Sequence, residues 1–306
     1  MKTPLIFDIK RSTTADGPGV RTAIFFKGCN LDCYWCHNPE SKSAEREKAF
    51  FKEKCVSCGA CRKICENDAT PHTVLGNAAG FCAELGVDTE LDIVTEKHTD
   101  PNTVCERDAK SCTVCETHAK SCTVCGKCAS VCPAGAIKMY GRKYTPDELF
   151  EIIKRDAPYF YATGGGVTLS GGECMLYPDF VAEIAKRCYS CEISVAVDTA
   201  GAVPFSFFEK VLPYVDLFLY DIKCIDPELH KKGTGRDNSL ILENLDKLLK
   251  ASVRVKIRVP VIPGFNDGDE LEKIKSFCEN RGLSYELLSY HNYGENKKIA
   301  LICAKM

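Results

Sequence analysis

Neither sign of charge prevails in this chain. Its 40 lysines and arginines face 42 aspartates and glutamates, a formal net charge of -2, which leaves no electrostatic case for nucleic acid or an acidic membrane surface as a partner. Long apolar runs are lacking too. None approaches the roughly 18 residues of a membrane-spanning helix, and no basic-then-apolar leader opens the sequence. These absences lead to the expectation of a cytoplasmic, monomeric protein that meets neither nucleic acid nor membrane. At 306 residues the chain can bury one full core, or one core plus a small insert.

What the chain has in excess is cysteine, 21 in all. In a small secreted domain that number would mean disulfides, but this chain is neither small nor led by a signal. Thiolate metal ligands in a reducing compartment explain it better. Three of the thiols, Cys29, Cys33 and Cys36, fall at C-x3-C-x2-C, close enough for one loop to present all of them to one metal centre. Zinc wants four closed ligands, and the nearest later thiol, Cys55, opens a different run. Three thiolates with no local fourth suit a four-iron cluster that keeps one iron open for a substrate.

Two further runs have ferredoxin spacing: Cys55-x2-Cys58-x2-Cys61-x3-Cys65 and Cys122-x2-Cys125-x2-Cys128-x3-Cys132-Pro133. In such pairs the last cysteine of each run ligates the other run's cluster. The predicted sets are therefore Cys55, Cys58, Cys61, Cys132 and Cys65, Cys122, Cys125, Cys128. Each is complete, which suits electron transfer rather than substrate binding; paired zinc ribbons are the alternative. Between the runs, TVCERDAKSC at 103–112 recurs as TVCETHAKSC at 113–122. A duplicated loop is the plain explanation, leaving Cys105, Cys112 and Cys115 as spares or alternates, and Cys82 has no partner pattern.

Around this cysteine-rich stretch the chain alternates. Apolar strands are expected at 5–10, 20–27, 165–170, 192–198, 215–222, 253–260 and 283–289, with helices at 145–155, 178–188, 204–211, 237–251 and 268–281 between the later ones. Counted from 20–27, that makes six strand–helix units with buried-looking strands, an α/β protein. The three-cysteine loop follows the first of these strands, where open α/β sheets and barrels place their chemistry. Three later strand ends also carry polar groups: Ser170-Gly171-Gly172-Glu173, Asp198-Thr199 and Asp221-Ile222-Lys223.

The three-cysteine loop, with Asp16-Gly17-Pro18-Gly19-Val20-Arg21-Thr22 before it and His37-Asn38-Pro39-Glu40 after it, resembles the radical S-adenosylmethionine enzymes and, more narrowly, the activating enzymes of glycyl radical enzymes. The resemblance implies a partial, open (β/α)6 TIM-like barrel from residues 1–49 and 140–306, with a ferredoxin-like insert at 50–139. It also implies a [4Fe-4S] cluster on Cys29, Cys33 and Cys36, shielded by Tyr34, so that with the insert the chain would hold three such clusters. Gly171, Gly172 and Glu173 would bind the methionine end of S-adenosylmethionine, the Glu173 carboxylate holding its amino group. Cys174 stands where a proline is common in that family. Asp198, Asp221, Lys223, Arg258 and His291 would lie near the cofactor, with a monovalent cation beside Asp198, Thr199 and Asp221. His230, Thr234-Gly235 and Asn238 fit a stretch of the same family, as cofactor or partner contacts.

The implied reaction is reductive cleavage of S-adenosylmethionine, followed by removal of an α-hydrogen from a glycine of a partner glycyl radical enzyme, in an anaerobic organism. A flavodoxin or ferredoxin would supply the electron. Hydroxyproline and diol dehydratases are among the candidate partners, and the two-cluster insert argues against the short formate-lyase activators. Two other readings stay open: a radical enzyme that acts on a small molecule or matures another protein, and a ferredoxin-like electron carrier with no chemistry of its own.

Overall fold

A computed structural model describes residues 2–66 and 122–305. Cys82, Cys105, Cys112 and Cys115, with the duplicated loop, lie outside the described residues. The chain divides into two compact units, one of residues 1–47 and 140–298, the other of residues 48–139 and 299–306.

The first unit is built on an eight-stranded mixed sheet. Strands β1 (Leu5–Thr13) and β2 (Arg21–Phe26) run antiparallel, and the short β5 (Arg142–Lys143) is antiparallel to β1 at the edge. From β2 onward all neighbours are parallel and follow chain order: β6 (Gly166–Gly171), β7 (Ser194–Thr199), β8 (Leu217–Asp221), β9 (Val255–Val261) and β10 (Tyr285–Ser289). Each parallel crossover needs a connection over the sheet face. Helices α5 (Pro178–Tyr189), α6 (Phe205–Val211), α8 (Ser239–Lys250) and α9 (Asp269–Glu279) supply most of them, close to their sequence-expected spans.

Burial follows position in the sheet. β2 is buried at every residue and β6 nearly so, which is why they read as unbroken apolar runs. β10, expected to be buried like the others, is not: among the described residues it has a neighbour only in β9, and Leu287 is 43% exposed. Helix α3 (Pro146–Lys154) starts as its sequence says, with the Thr145 hydroxyl accepting from Glu148 N at 3.1 Å and Thr145 N donating to Glu148 Oε2 at 2.8 Å. The alternation did not reveal α4 (Ala157–Thr163), α7 (Pro227–Thr234) or α10 (Tyr293–Lys305).

In the second unit β3 (Glu47–Phe50) pairs with β4 (Ile137–Tyr140), and α1 (Ala60–Ile64) and α2 (Lys127–Ser130) follow the cysteine runs. Its core is small: Phe50, Ala136 and Ile137, with Cys61 and Cys128 making up the rest among the described residues.

Candidate active site

Because β2 and β6 to β10 run parallel, their carboxyl ends share one edge of the sheet. The three-cysteine loop leaves the end of β2 there, held by Gly28 at φ +99°, whose N donates to Ser41 O at 2.7 Å, and by Cys29 N donating to Lys42 O at 3.1 Å. The end of β6 lies almost against it. Glu173 N donates to Gly28 O at 2.8 Å, and a Cβ on Gly172 would stand 2.4 Å from that same oxygen. A Cβ on Gly171, at φ +124°, would meet Phe26 N at 2.2 Å. Two glycines are therefore what allows the strand ends to touch.

The far side of the loop rests on α7. Asp32 N donates to Thr234 O at 2.7 Å and Tyr34 N to Gly233 O at 3.2 Å. A Cβ on Gly233 would lie 2.8 Å from Trp35 Cζ3, and Trp35 packs on Phe265 with centroids 4.4 Å apart. This bears on the expectation for His230, which fits the family stretch with Thr234, Gly235 and Asn238. His230 is buried with Nδ1 2.6 Å from Arg236 O, and the Asn238 amide donates to the carbonyls of Cys224 and Ile225. His230, Thr234 and Asn238 are buried and hydrogen-bonded within the α7 turn that carries the cysteine loop. Tyr34, expected to shield the cluster, is 53% exposed, and Trp35 faces the site instead.

The result is a cleft of about 490 Å³. Cys29, Cys33 and Cys36 line it together with Gly171, Gly172, Asp198, Thr199, Asp221, Lys223, Arg258 and His291, so nearly every residue expected at the site meets in one space. Burial pushes the Cys29 thiol up to about 12 and Cys33 to about 11, with the Lys223 charge opposing it at Cys33. Thiols so buried ionise only against a compensating cation, which bound iron supplies. Opposite them are two ion pairs, Lys223 Nζ to Asp221 Oδ2 at 2.6 Å and Arg258 Nη1 to Asp198 Oδ2 at 3.2 Å. Burial works against the Lys223 charge, but Asp221 and the neighbouring thiols outweigh it and hold the ammonium above its usual range. The carboxylates expected around a monovalent cation are thus matched by side-chain cations. Among the described residues no group of three or more His, Cys, Asp or Glu side chains converges on a single metal ion.

Glu173 does not line the cleft. It is fully buried behind the floor, where Oε1 accepts from Thr199 Oγ1 at 2.8 Å and Met175 N at 3.0 Å, and Oε2 accepts from Ala200 N at 3.0 Å. Burial lifts its carboxyl to about 7 against those three donors. This departs from the role expected for it: the carboxylate ties the end of β6 to the end of β7 and presents no oxygen to the cleft.

Several lining residues had no assigned role from the sequence. Asp16 and Asn38 stand in the flanking motifs, whose spacing was a usable signal. Lys297 pairs with Glu40 at 2.8 Å, and His37 stacks on His291 at 4.0 Å, with burial and then the His291 charge lowering His37 to about 4. Lys10 on β1 and Lys42 also line the cleft, and nothing in their sequence neighbourhood marks them.

The second unit contains two smaller cavities, each ringed by four thiols. One is bounded by Cys55, Cys58, Cys61 and Cys132, the other by Cys65, Cys122, Cys125 and Cys128. The two cysteine runs share an unusual backbone: Ser57 and Val124 have φ +52° and +51°, and Gly59 and Gly126 have φ +71° and +86°. A β-branched Val124 in that region costs about 1–3 kcal/mol, retained where the surroundings require the turn. Ser57 N donates to Cys55 Sγ at 3.4 Å and Ala136 N to Cys132 Sγ at 3.3 Å, the amide-to-sulfur bonds that suit thiolate ligands. These are the two four-cysteine sets that the spacing predicts.

The model of the radical SAM superfamily matches residues 103–278, and that of a 4Fe-4S single cluster domain matches residues 15–70. The chain is 36% identical to the indoleacetate decarboxylase activating enzyme of Tractidigestivibacter scatoligenes, over 96% of this chain and 85% of that protein. It is 36% identical to the (2S)-3-sulfopropanediol dehydratase activating enzyme of Klebsiella oxytoca, over 97% of this chain and 85% of that one. With the trans-4-hydroxy-L-proline dehydratase activating enzyme of Clostridioides difficile it shares 35% identity, over 96% and 86%.

Proposed function

The chain belongs to the radical S-adenosylmethionine superfamily, among the activating enzymes of glycyl radical enzymes, and from that we propose how its residues divide the work. The observation that carries the proposal is the cleft in which three thiols of one loop meet two glycines and two partly buried ion pairs. Cys29, Cys33 and Cys36 would hold a four-iron cluster with one iron left for S-adenosylmethionine. When bound, that cluster supplies the electron that splits the cofactor into methionine and a 5′-deoxyadenosyl radical, which takes an α-hydrogen from a glycine of the partner.

The methionine end of the cofactor would lie along the cleft wall at Gly171 and Gly172, which the close approach of the β2 and β6 ends brings beside the cysteine loop. Its amino group would meet the backbone there and not the Glu173 carboxylate, which is occupied with Thr199, Met175 and Ala200. Lys223 and Arg258 offer cations to its carboxylate and ribose oxygens, and Asp198 and Asp221 keep both cations oriented. Buried Trp35 would shield part of the cleft wall from water, which would otherwise quench a carbon radical.

We assign residues 1–49 and 140–306 to a partial, open (β/α)6 barrel, on the strength of six parallel strands in chain order. Residues 50–139 form the insert, whose two four-thiol cavities would hold two further [4Fe-4S] clusters that relay electrons from a flavodoxin or ferredoxin. By their names, the relatives above activate a decarboxylase and two dehydratases, and a hydroxyproline or diol dehydratase is the class of partner we favour. Adding S-adenosylmethionine to the reduced, iron-loaded protein is expected to change its electron paramagnetic resonance signal and release methionine. An unchanged signal and intact cofactor would exclude this site as the place of cleavage.

A further inference from the structure

The two thiol cages of the second unit differ in what else faces them. Around Cys55, Cys58, Cys61 and Cys132 the remaining wall is apolar, with Phe50, Val56 and Ile137 prominent. The cage of Cys65, Cys122, Cys125 and Cys128 includes Lys48. Lys48 comes from β3, whose pairing with β4 fixes its backbone, and it is only 6% exposed. Its Nζ donates to Cys122 Sγ at 3.5 Å. Lys127 lies in the same cage wall, but its side chain is about half exposed and paired with the exposed Glu66, so solvent and that carboxylate blunt its charge.

We propose that Lys48 is a potential-setting residue: it raises the reduction potential of the cluster held by Cys65, Cys122, Cys125 and Cys128 above that of the other insert cluster, so that the first electron entering the insert settles there. This rests on the two-cluster reading of the insert. The step is a one-electron transfer in which a flavodoxin- or ferredoxin-type donor is oxidised and the cluster reduced, with no bond made or broken. Reduction adds one negative charge to a cage that is already anionic. A buried ammonium at hydrogen-bond distance favours the more negative state. Among the described residues no cation lines the cage of Cys55, Cys58, Cys61 and Cys132, and a medium of low polarity penalises the added charge. Burial raises the Cys128 thiol and the Lys48 charge opposes that rise, so the influence of Lys48 extends beyond Cys122.

The test uses full-length protein carrying Cys29→Ala, Cys33→Ala and Cys36→Ala, loaded with iron, so that only the insert clusters report. About eight irons per chain are expected; markedly fewer would overturn the two-cluster reading and leave the Lys48 question without its premise, a failure that the iron count alone identifies. Potentiometric titration followed by electron paramagnetic resonance should then give two separate one-electron steps. Lys48→Met should lower the higher step by about 59 mV or more, a tenfold fall in its reduced-to-oxidised ratio, and leave the lower step in place. Lys48→Arg should keep the gap, and Lys127→Met should change it little. If Lys48→Met loads poorly, Lys48→Gln measured against Lys48→Arg decides the same point. A single unresolved step in the parent, no movement on loss of the charge, or movement of the lower step would overturn the proposal.

Discussion

At the scale of single residues, the site depends on close backbone approaches as much as on the groups that would meet a ligand. Gly172 is the clearest case. A methyl group there would stand 2.4 Å from Gly28 O and 2.8 Å from Ser41 O, both backbone atoms that cannot swing away. Gly172→Ala should therefore destabilise the protein by about 3 kcal/mol or more, through strain rather than lost contact, and thermal melting of the iron-loaded variant measures it. Glu173 gives a test of opposite kind. Its folded-state value of about 7 lies above the ordinary 4.5. Between those values the folded state binds the proton that the unfolded state has released, so this group's contribution to stability is present below pH about 4.5 and falls as pH rises to about 7, by about 3 kcal/mol at most. Unfolding free energies measured across that range should lose this component in Glu173→Gln, and an unaltered slope would show that another group carries it. Glu173→Ala goes further, since it strands the Thr199 hydroxyl and two amides, and should cost about 2–4 kcal/mol while leaving the iron content unchanged.

Among elements, what the sequence revealed depended on whether a segment's role was local. The central strands were legible because both faces are buried, and α3 because Thr145, Pro146 and Glu148 form a complete helix start. Helix α7 has comparable signals, with Asp226 as cap, Pro227 first and Gly235 after the end, but it is eight residues long with Gly233 inside it, and its apolar pattern is faint. Its use as a seat for the cysteine loop is a tertiary fact that no local pattern encodes, which is why His230 looked like a ligand contact. Glu173 misled for a related reason: its place in the motif was visible, but the donors that claim it come from β7 and the turn after it. The four-thiol sets of the insert could be anticipated because ferredoxin spacing carries the exchange of the last cysteine with it. Since both cavities have four thiols among the described residues, replacing Cys105, Cys112 and Cys115 together should leave iron near about 12 per chain. A loss of about four would show that the duplicated loop supplies ligands.

For the whole molecule, the insert and the cleft should be separable in function. Replacing Cys58 and Cys125 together should leave S-adenosylmethionine binding intact and slow its cleavage when a flavodoxin or ferredoxin is the donor; equal rates under those conditions would remove the relay from the account. The central claim is that the loop of Cys29, Cys33 and Cys36 is where the radical originates. It is tested most directly by the electron paramagnetic resonance spectrum of a partner glycyl radical enzyme after incubation with reduced protein and S-adenosylmethionine. The expected result is a glycine-centred radical with the natural sequence and none with Cys29→Ala, Cys33→Ala and Cys36→Ala, whose iron content falls by about four while the about eight irons of the insert remain. A glycine radical formed by the triple variant would contradict the claim and move the chemistry out of this cleft.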